Sequence, residues 1–73
     1  MLVQILNDDG TFSEGDIVKA KRFRDFTEDE KHRETNNSNM WNGSEIFAKR
    51  PTINAFGEEY LYMYDEEVEI INE

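Results

Sequence analysis

Residues 59–64, Glu-Tyr-Leu-Tyr-Met-Tyr, are the stretch that decides the fold class. Tyrosines at positions 60, 62 and 64 alternate with Leu61 and Met63. This period of two is that of a β-strand, whose successive side chains point to opposite faces, and aromatic residues favour strands. We therefore predict a strand here, with Leu61 and Met63 facing the core and the tyrosines facing outward.

Shorter segments on both sides of this strand have a similar character. Residues 2–6 form an apolar run too short for a helix, and residues 17–23 begin with two β-branched side chains. Residues 45–49 and 68–71 are further short strand candidates. Residues 52–56 are a possible sixth strand, although the preceding proline has no backbone donor for a ladder. The sequence therefore predicts five or six short strands.

The stretch at about 27–44 is predicted to be a polar insertion between strands. Its first residues, Thr27-Glu28-Asp29-Glu30, match a capping box, in which a hydroxyl and a carboxylate three residues apart cap a helix start. Residues 27–35 contain no apolar side chain, so this helical turn is expected to be short and exposed. The polar loop that follows includes Met40 and Trp41.

The 73 residues are enough for a single domain, which we expect to span residues 1–73. A small sheet has exposed edges, and closing it into a barrel removes them. We therefore predict a mainly β fold: a small antiparallel five- or six-stranded barrel with one short exposed helical turn. The alternative is an open meander with the helix of residues 27–34 laid over it.

Three segments together resemble the SH3-like (Src-homology-3-like) barrels. They are GDIVKAKRF (15–23), EYLYMY (59–64) and DEEVEII (65–71). The resemblance implies a Gly-Asp turn before the second strand and a short helical turn before the last one. The chain departs from the family in two respects: the groove for proline-rich peptides does not map onto it, and it is not basic like the nucleic-acid-binding relatives.

The short, acidic, Asn-rich character of the chain also resembles small proteins encoded by bacteriophages. That resemblance implies a modulator or inhibitor of a host protein.

The net charge limits the class of partner. Eight Lys and Arg residues against seventeen Asp and Glu residues give a formal charge of −9, and residues 58–73 contain seven acids and no base. Such a chain is repelled by nucleic-acid phosphates and by anionic membranes. It is attracted to positive surfaces. We therefore expect a protein with a basic surface as the partner, with no direct binding to nucleic acid or membrane.

Catalytic chemistry has little support in the sequence. The absence of cysteine excludes thiol catalysis and thiolate metal sites, and it suits a reducing compartment. His32 is the one histidine, and the neighbouring carboxylates Glu58 and Glu59 would point to opposite faces of a strand. We therefore expect no catalytic residue, no metal and no cofactor. With no basic leader and no apolar run of membrane length at its start, the chain is expected to be cytoplasmic.

The function predicted from these patterns is that of a non-enzymatic, acidic protein-binding module. Three alternatives stay open: the acids only form a solvated surface, the chain mimics a nucleic acid and blocks a DNA- or RNA-binding protein, or it is a structural component of a larger assembly. For Trp41 the alternative to partner contact is folding back over one end of the barrel. The residues expected to contact the partner are Trp41, Tyr60, Tyr62, Tyr64, Glu58, Glu66, Glu67 and Glu69.

Overall fold

A computed structural model describes residues 1–36 and 39–73. Residues 37 and 38 of the predicted insertion lie outside the described part of the chain. The elements in chain order are β1 (Leu2–Ile5), β2 (Ile17–Arg22), a 3₁₀ turn (Phe23–Asp25), α1 (Glu28–Thr35), β3 (Ile46–Lys49), β4 (Tyr60–Met63), a second 3₁₀ turn (Asp65–Glu67) and β5 (Val68–Asn72).

The protein is mainly β, as the sequence predicted, with five antiparallel strands in one open sheet. The strand order is β4-β3-β2-β1-β5, so β4 and β5 are the two edges. Strand β2 serves two ladders in succession, because residues 17–19 pair with β1 and residues 20–22 pair with β3. The described residues show no ladder between β4 and β5, so the sheet is not closed by hydrogen bonds.

The sheet must nevertheless be strongly curled. In a flat sheet the edge strands β4 and β5 would lie roughly 19 Å apart, since neighbouring strands are about 4.8 Å apart. The connection from Met63 to Val68 reaches at most roughly 18 Å when fully extended. Three of its residues form a compact 3₁₀ turn, which shortens that reach further. The edges are therefore drawn towards each other, and the curvature is that of the predicted barrel.

One hydrophobic core fills the inside of this curl. All five strands contribute residues to it. Met63 is 1% exposed and Leu61 packs against the same cluster, so both face inward as predicted. The buried members of the core are Val3, Ile5, Phe12, Ala20, Ile46, Ala48, Met63 and Val68.

A second cluster, made of aromatic rings, covers the outer face of β3 and β4. Phe47 lies between the two buried core residues of β3 and is itself only 2% exposed, so β3 is covered on both faces. Phe26, just before the insertion, and Trp41 within it provide the cover, because both rings contact that of Phe47, with centroids 5.0 and 5.2 Å away. The members of this aromatic cluster are Phe23, Phe26, Trp41, Phe47, Tyr60, Tyr62 and Tyr64.

Helix α1 is held by polar contacts rather than by an apolar face. The predicted capping box is present: Glu30 N donates to Thr27 Oγ1 at 3.1 Å, and Thr27 N donates to Glu30 Oε1 at 2.9 Å. At the other end of α1 the side chain of Glu34 is fully buried. Its carboxylate accepts hydrogen bonds from Glu59 N (3.1 Å) and Tyr60 N (3.0 Å), which fastens the helix to the start of β4.

Of the two strand counts that the sequence allowed, five is the one observed, because residues 52–56 form no strand. These residues belong to a loop that the side chain of Asn54 organises, since Asn54 Oδ1 accepts hydrogen bonds from Phe56 N (3.0 Å) and Glu58 N (2.9 Å). Gly57 follows with φ of 79°. An Asn side chain that binds nearby backbone N–H groups competes with a ladder, and this local competition prevails after Pro51.

Candidate protein-binding surface

The loop of residues 7–16, between β1 and β2, is an acidic loop with a defined conformation. Asp9 Oδ1 accepts hydrogen bonds from Thr11 N (2.9 Å) and Phe12 N (2.7 Å), and Asp16 Oδ2 accepts one from Ser13 N (2.9 Å). The Phe12 side chain is buried in the core and anchors the middle of the loop. The loop therefore presents its carboxylates from a scaffold built by its own backbone.

A second acidic segment, residues 65–69, lies on the other side of the end of β1. Leu6 N donates to the carbonyl oxygen of Glu67 at 2.9 Å, and Gln4 pairs with Glu69 in the β1–β5 ladder. The 3₁₀ turn is closed by Tyr64 N, which donates to Glu67 Oε1 at 2.8 Å. We name the surface formed by the two segments the acidic pole; its residues are Asp8, Asp9, Glu14, Asp16, Asp65, Glu66, Glu67 and Glu69.

The carboxylates of the acidic pole take no part in the ion pairs of the described residues. Arg22 lines the cavities beside Asp65, Glu66 and Glu69, but its guanidinium pairs with Glu73 at 3.1 Å. Among residues 1–36 and 39–73, none of its eight carboxylates forms an ion pair, whereas six other acids do. The chain has no Lys or Arg in residues 1–18 or 51–73, the segments that build the pole. The negative charge of the protein is therefore concentrated on one end of the sheet.

The eight carboxylates divide into two groups by what they contact. Asp8, Asp9, Asp16 and Glu67 each accept a hydrogen bond from a backbone N–H group, so they stabilise the loops that carry them. The other four are exposed and make no hydrogen bond within the described part of the chain. A partner can therefore contact four carboxylates without breaking a hydrogen bond of the fold. They are those of Glu14, Asp65, Glu66 and Glu69.

A polar cavity of about 350 Å³ adjoins the pole. Tyr62 and Tyr64 line it together with Asp65 and Glu66. Tyr64 is 57% exposed, and its ring packs edge-on against Tyr62 with centroids 5.0 Å apart. Burial raises the pKa of the Tyr62 hydroxyl, and the nearby Tyr64 and carboxylates raise it further, because each disfavours a phenolate.

Glu45, also in the wall of this cavity, is a carboxylate used internally. Burial acts to raise its pKa, but hydrogen bonds from the backbone N–H groups of Asn42 (2.8 Å) and Gly43 (2.9 Å) outweigh burial and lower it. These bonds hold the end of the insertion beside β3. Glu45 therefore stabilises the loop that carries Trp41 rather than adding an unpaired charge.

The structure brings together four of the residues expected to contact the partner: Tyr64, Glu66, Glu67 and Glu69 lie at or beside the acidic pole. Glu58 is separated from these four residues. Its carboxylate accepts a hydrogen bond from Asn54 Nδ2 at 2.8 Å and lies 3.9 Å from the Arg50 guanidinium. Tyr60 belongs to the far end of the aromatic cluster, where its ring contacts Phe26 at 5.3 Å.

Trp41 folds back, but onto the outer face of the sheet rather than over an end of the barrel. Its ring lies 4.9 Å from that of Tyr62 and stacks on Phe23 at 6.0 Å. The Trp41 Nε1 atom is buried and has no hydrogen-bond partner among residues 1–36 and 39–73. The ring is half-buried, so much of its surface is already used in covering β4.

The contribution of the 7–16 loop was not predicted from the sequence. Its acids, Asp8, Asp9, Glu14 and Asp16, stand beside glycines, and Asp and Gly together are typical of turns rather than of a binding surface. Their position at the same end of the sheet as residues 65–69 follows from the pairing of β1 with β5, which brings Ile5 opposite Val68 and Leu6 N within 2.9 Å of the carbonyl oxygen of Glu67. The one local signal was the absence of any Lys or Arg from both segments.

No model of a known protein family, no curated protein and no solved structure matches this chain. Across residues 1–36 and 39–73, no three His, Asp or Glu side chains converge as the ligands of a metal ion would. In the same residues, no helix has the length and apolar character needed to cross a membrane.

Proposed function

We propose that this protein is a non-enzymatic binding module that docks its acidic pole onto a basic surface of another protein. The single observation that carries this proposal is the separation of charge: eight carboxylates without ion pairs lie at one end, while six of the eight Lys and Arg residues are paired elsewhere. Complementary charge speeds encounter and selects the partner.

Tyr64 is a second feature that favours the acidic pole as the binding surface. An exposed tyrosine beside carboxylates supplies contact area and a ring face for a cationic side chain, and tyrosine is enriched at protein interfaces. The defined conformation of the acidic loop also favours binding to a partner. A surface already held by hydrogen bonds to its own backbone loses little conformational entropy on binding.

The test is affinity capture from a bacterial lysate with three baits, followed by mass spectrometry. One bait is the wild-type protein and the second carries Glu14→Gln, Glu66→Gln and Glu69→Gln, which remove three exposed charges without removing a hydrogen bond. We expect wild type to retain one or two proteins, released by salt, and the triple variant to lose them.

The matched control bait carries Asp25→Asn, Glu28→Gln and Asp29→Asn. It has the same net charge as the triple variant, but its changes lie in and before α1, away from the pole. It should retain the wild-type partners. The proposal fails if both variants behave alike, because net charge alone would then decide retention.

The nucleic-acid mimic is the second candidate, and the same separation of charge supports it, since a mimic needs carboxylates arrayed on one surface. The captured protein distinguishes the two. If duplex DNA displaces the wild-type chain from it, the acidic pole occupies a nucleic-acid site. If DNA does not compete, the pole docks on a protein-binding surface.

We further propose an SH3-like relationship and a role as a phage-encoded modulator of a host protein. Two features that the resemblance implies support the SH3-like relationship. Gly15 and Asp16 directly precede β2, and a 3₁₀ turn directly precedes β5.

A further inference from the structure

A shallow groove of about 510 Å³ lies at the opposite end of the β1–β5 ladder from the acidic pole. Leu2, Ala20 and Tyr60 supply apolar surface within it. Three lysines, Lys19, Lys21 and Lys49, also line it. One acid, Glu73, lies in the same lining, and its carboxylate pairs with Arg22 at 3.1 Å. We name this feature the lysine groove.

The lysine groove is the positive counterpart of the pole. Lys21 pairs with Glu30 at 3.0 Å and Lys49 pairs with Glu59 at 3.1 Å, but Lys19 is exposed and forms no ion pair within the described residues. The amino nitrogen of Met1 donates to the carbonyl oxygen of Ala20 at 3.0 Å rather than to a carboxylate. The groove therefore has positive charge left over in a chain of net charge −9.

The two surfaces cannot meet within one molecule. In the β1–β5 ladder Leu2 pairs with Asn72 at the groove end, and Ile5 pairs with Val68 at the pole end. A paired strand is rigid and holds the two ends apart. Contact between the acidic pole and the lysine groove therefore requires two copies.

The acidic pole also has apolar surface that the groove could bury. Leu6 is 39% exposed and Ile17 is 58% exposed. The hydrogen bond from Ile5 N to the carbonyl oxygen of Asp16 (2.8 Å) places both side chains at the foot of the acidic loop. The pole thus combines apolar side chains with surrounding carboxylates, and the groove combines apolar surface with surrounding lysines.

We infer that the protein associates head to tail with a second copy, the acidic pole of one chain seated in the lysine groove of the next. Such contacts use two different surfaces, so they extend into chains instead of closing as a two-fold dimer. The net charge of each copy opposes this only weakly at physiological salt, where charges farther apart than about 8 Å are largely screened.

Sedimentation equilibrium over a wide range of protein concentration tests the inference. The average mass of the wild type should rise with concentration and pass that of two chains. Lys19→Glu in the groove and Glu66→Lys in the pole should each lose this association. Arg24→Glu, an equal charge reversal outside both surfaces, should keep it.

Mixing the two variants is the decisive measurement. The Lys19→Glu chain keeps an intact pole and the Glu66→Lys chain keeps an intact groove, so the mixture should regain association that neither variant shows alone. Regained association also shows that both variants are folded. A wild type that stays monomeric at every concentration overturns the inference, as does a mixture that stays monomeric. Neither result affects docking of the pole onto a basic partner, which the capture experiment tests separately.

Discussion

At the scale of single residues, the same side-chain type has different roles depending on what it contacts. The side chain of Glu34 is fully buried, accepts hydrogen bonds from Glu59 N and Tyr60 N at the start of β4, and pairs with Arg33 at 2.9 Å. Glu28, six residues earlier on the same helix, has a side chain 90% exposed and lies 3.7 Å from Lys31. Exposed ion pairs such as Glu28–Lys31 contribute little to the free energy of unfolding. Removing one partner of a buried, hydrogen-bonded charge such as Glu34 lowers that free energy strongly.

We therefore expect Glu34→Gln to lower the free energy of unfolding by about 2 kcal/mol, because the amide NH₂ would face a backbone N–H and leave a buried donor unsatisfied. The matched change Glu28→Gln should alter it by less than about 0.5 kcal/mol. Urea denaturation measures both variants. Equal effects of the two substitutions would contradict the role assigned to Glu34.

At the scale of elements, α1 depends on its caps more than most helices do. The helix has no apolar side chain, and the side chains that it buries are those of the polar residues Glu34 and Thr35, so apolar packing contributes little to the helix itself. A helix of 8 residues is marginal without such packing. The capping box at Thr27 and the Glu34 contact with β4 are what hold it.

Thr27→Ala should destabilise α1 by about 1 kcal/mol, since it removes the hydroxyl that accepts from Glu30 N. The effect is local, so amide hydrogen exchange should accelerate in residues 28–35 while the core strands keep their protection. Thr52→Ala, a change of the same type in an exposed turn, serves as the control and should leave α1 unaffected. Uniform acceleration through the sheet would show that α1 and the core unfold together.

At the scale of the whole molecule, charge is divided between acids that stabilise the fold and acids that do not. The pKa of Glu45 is lowered by backbone hydrogen bonds. A carboxyl whose pKa is lower in the folded state contributes stability above its unfolded value, about 4.3, and that stability is lost as the pH falls through the folded value.

Wild type should therefore be more stable than Glu45→Gln at neutral pH, and the difference should shrink as the pH falls below about 4.3, where Glu45 becomes protonated. Comparing variants at each pH removes the effect of changing net charge. Glu69→Gln serves as the control substitution, because the Glu69 carboxylate makes no hydrogen bond or ion pair in the described residues. Urea denaturation across a pH series measures this, and a constant difference for Glu45→Gln would contradict it.

The sequence by itself determined the local features: the alternating strand of β4, the inward direction of Leu61 and Met63, and the capping box of α1. Each depends on side chains within a few positions of one another, so period and capping chemistry suffice to predict it.

Only the tertiary structure decided which distant segments meet. The β1–β5 ladder joins the 7–16 loop to residues 65–69, and the insertion folds Trp41 onto the outer face of β4. Such contacts arise from burying apolar surface on a curled sheet, a property of the whole chain that no local pattern encodes. The acidic pole, the surface on which the proposed function rests, exists for that reason.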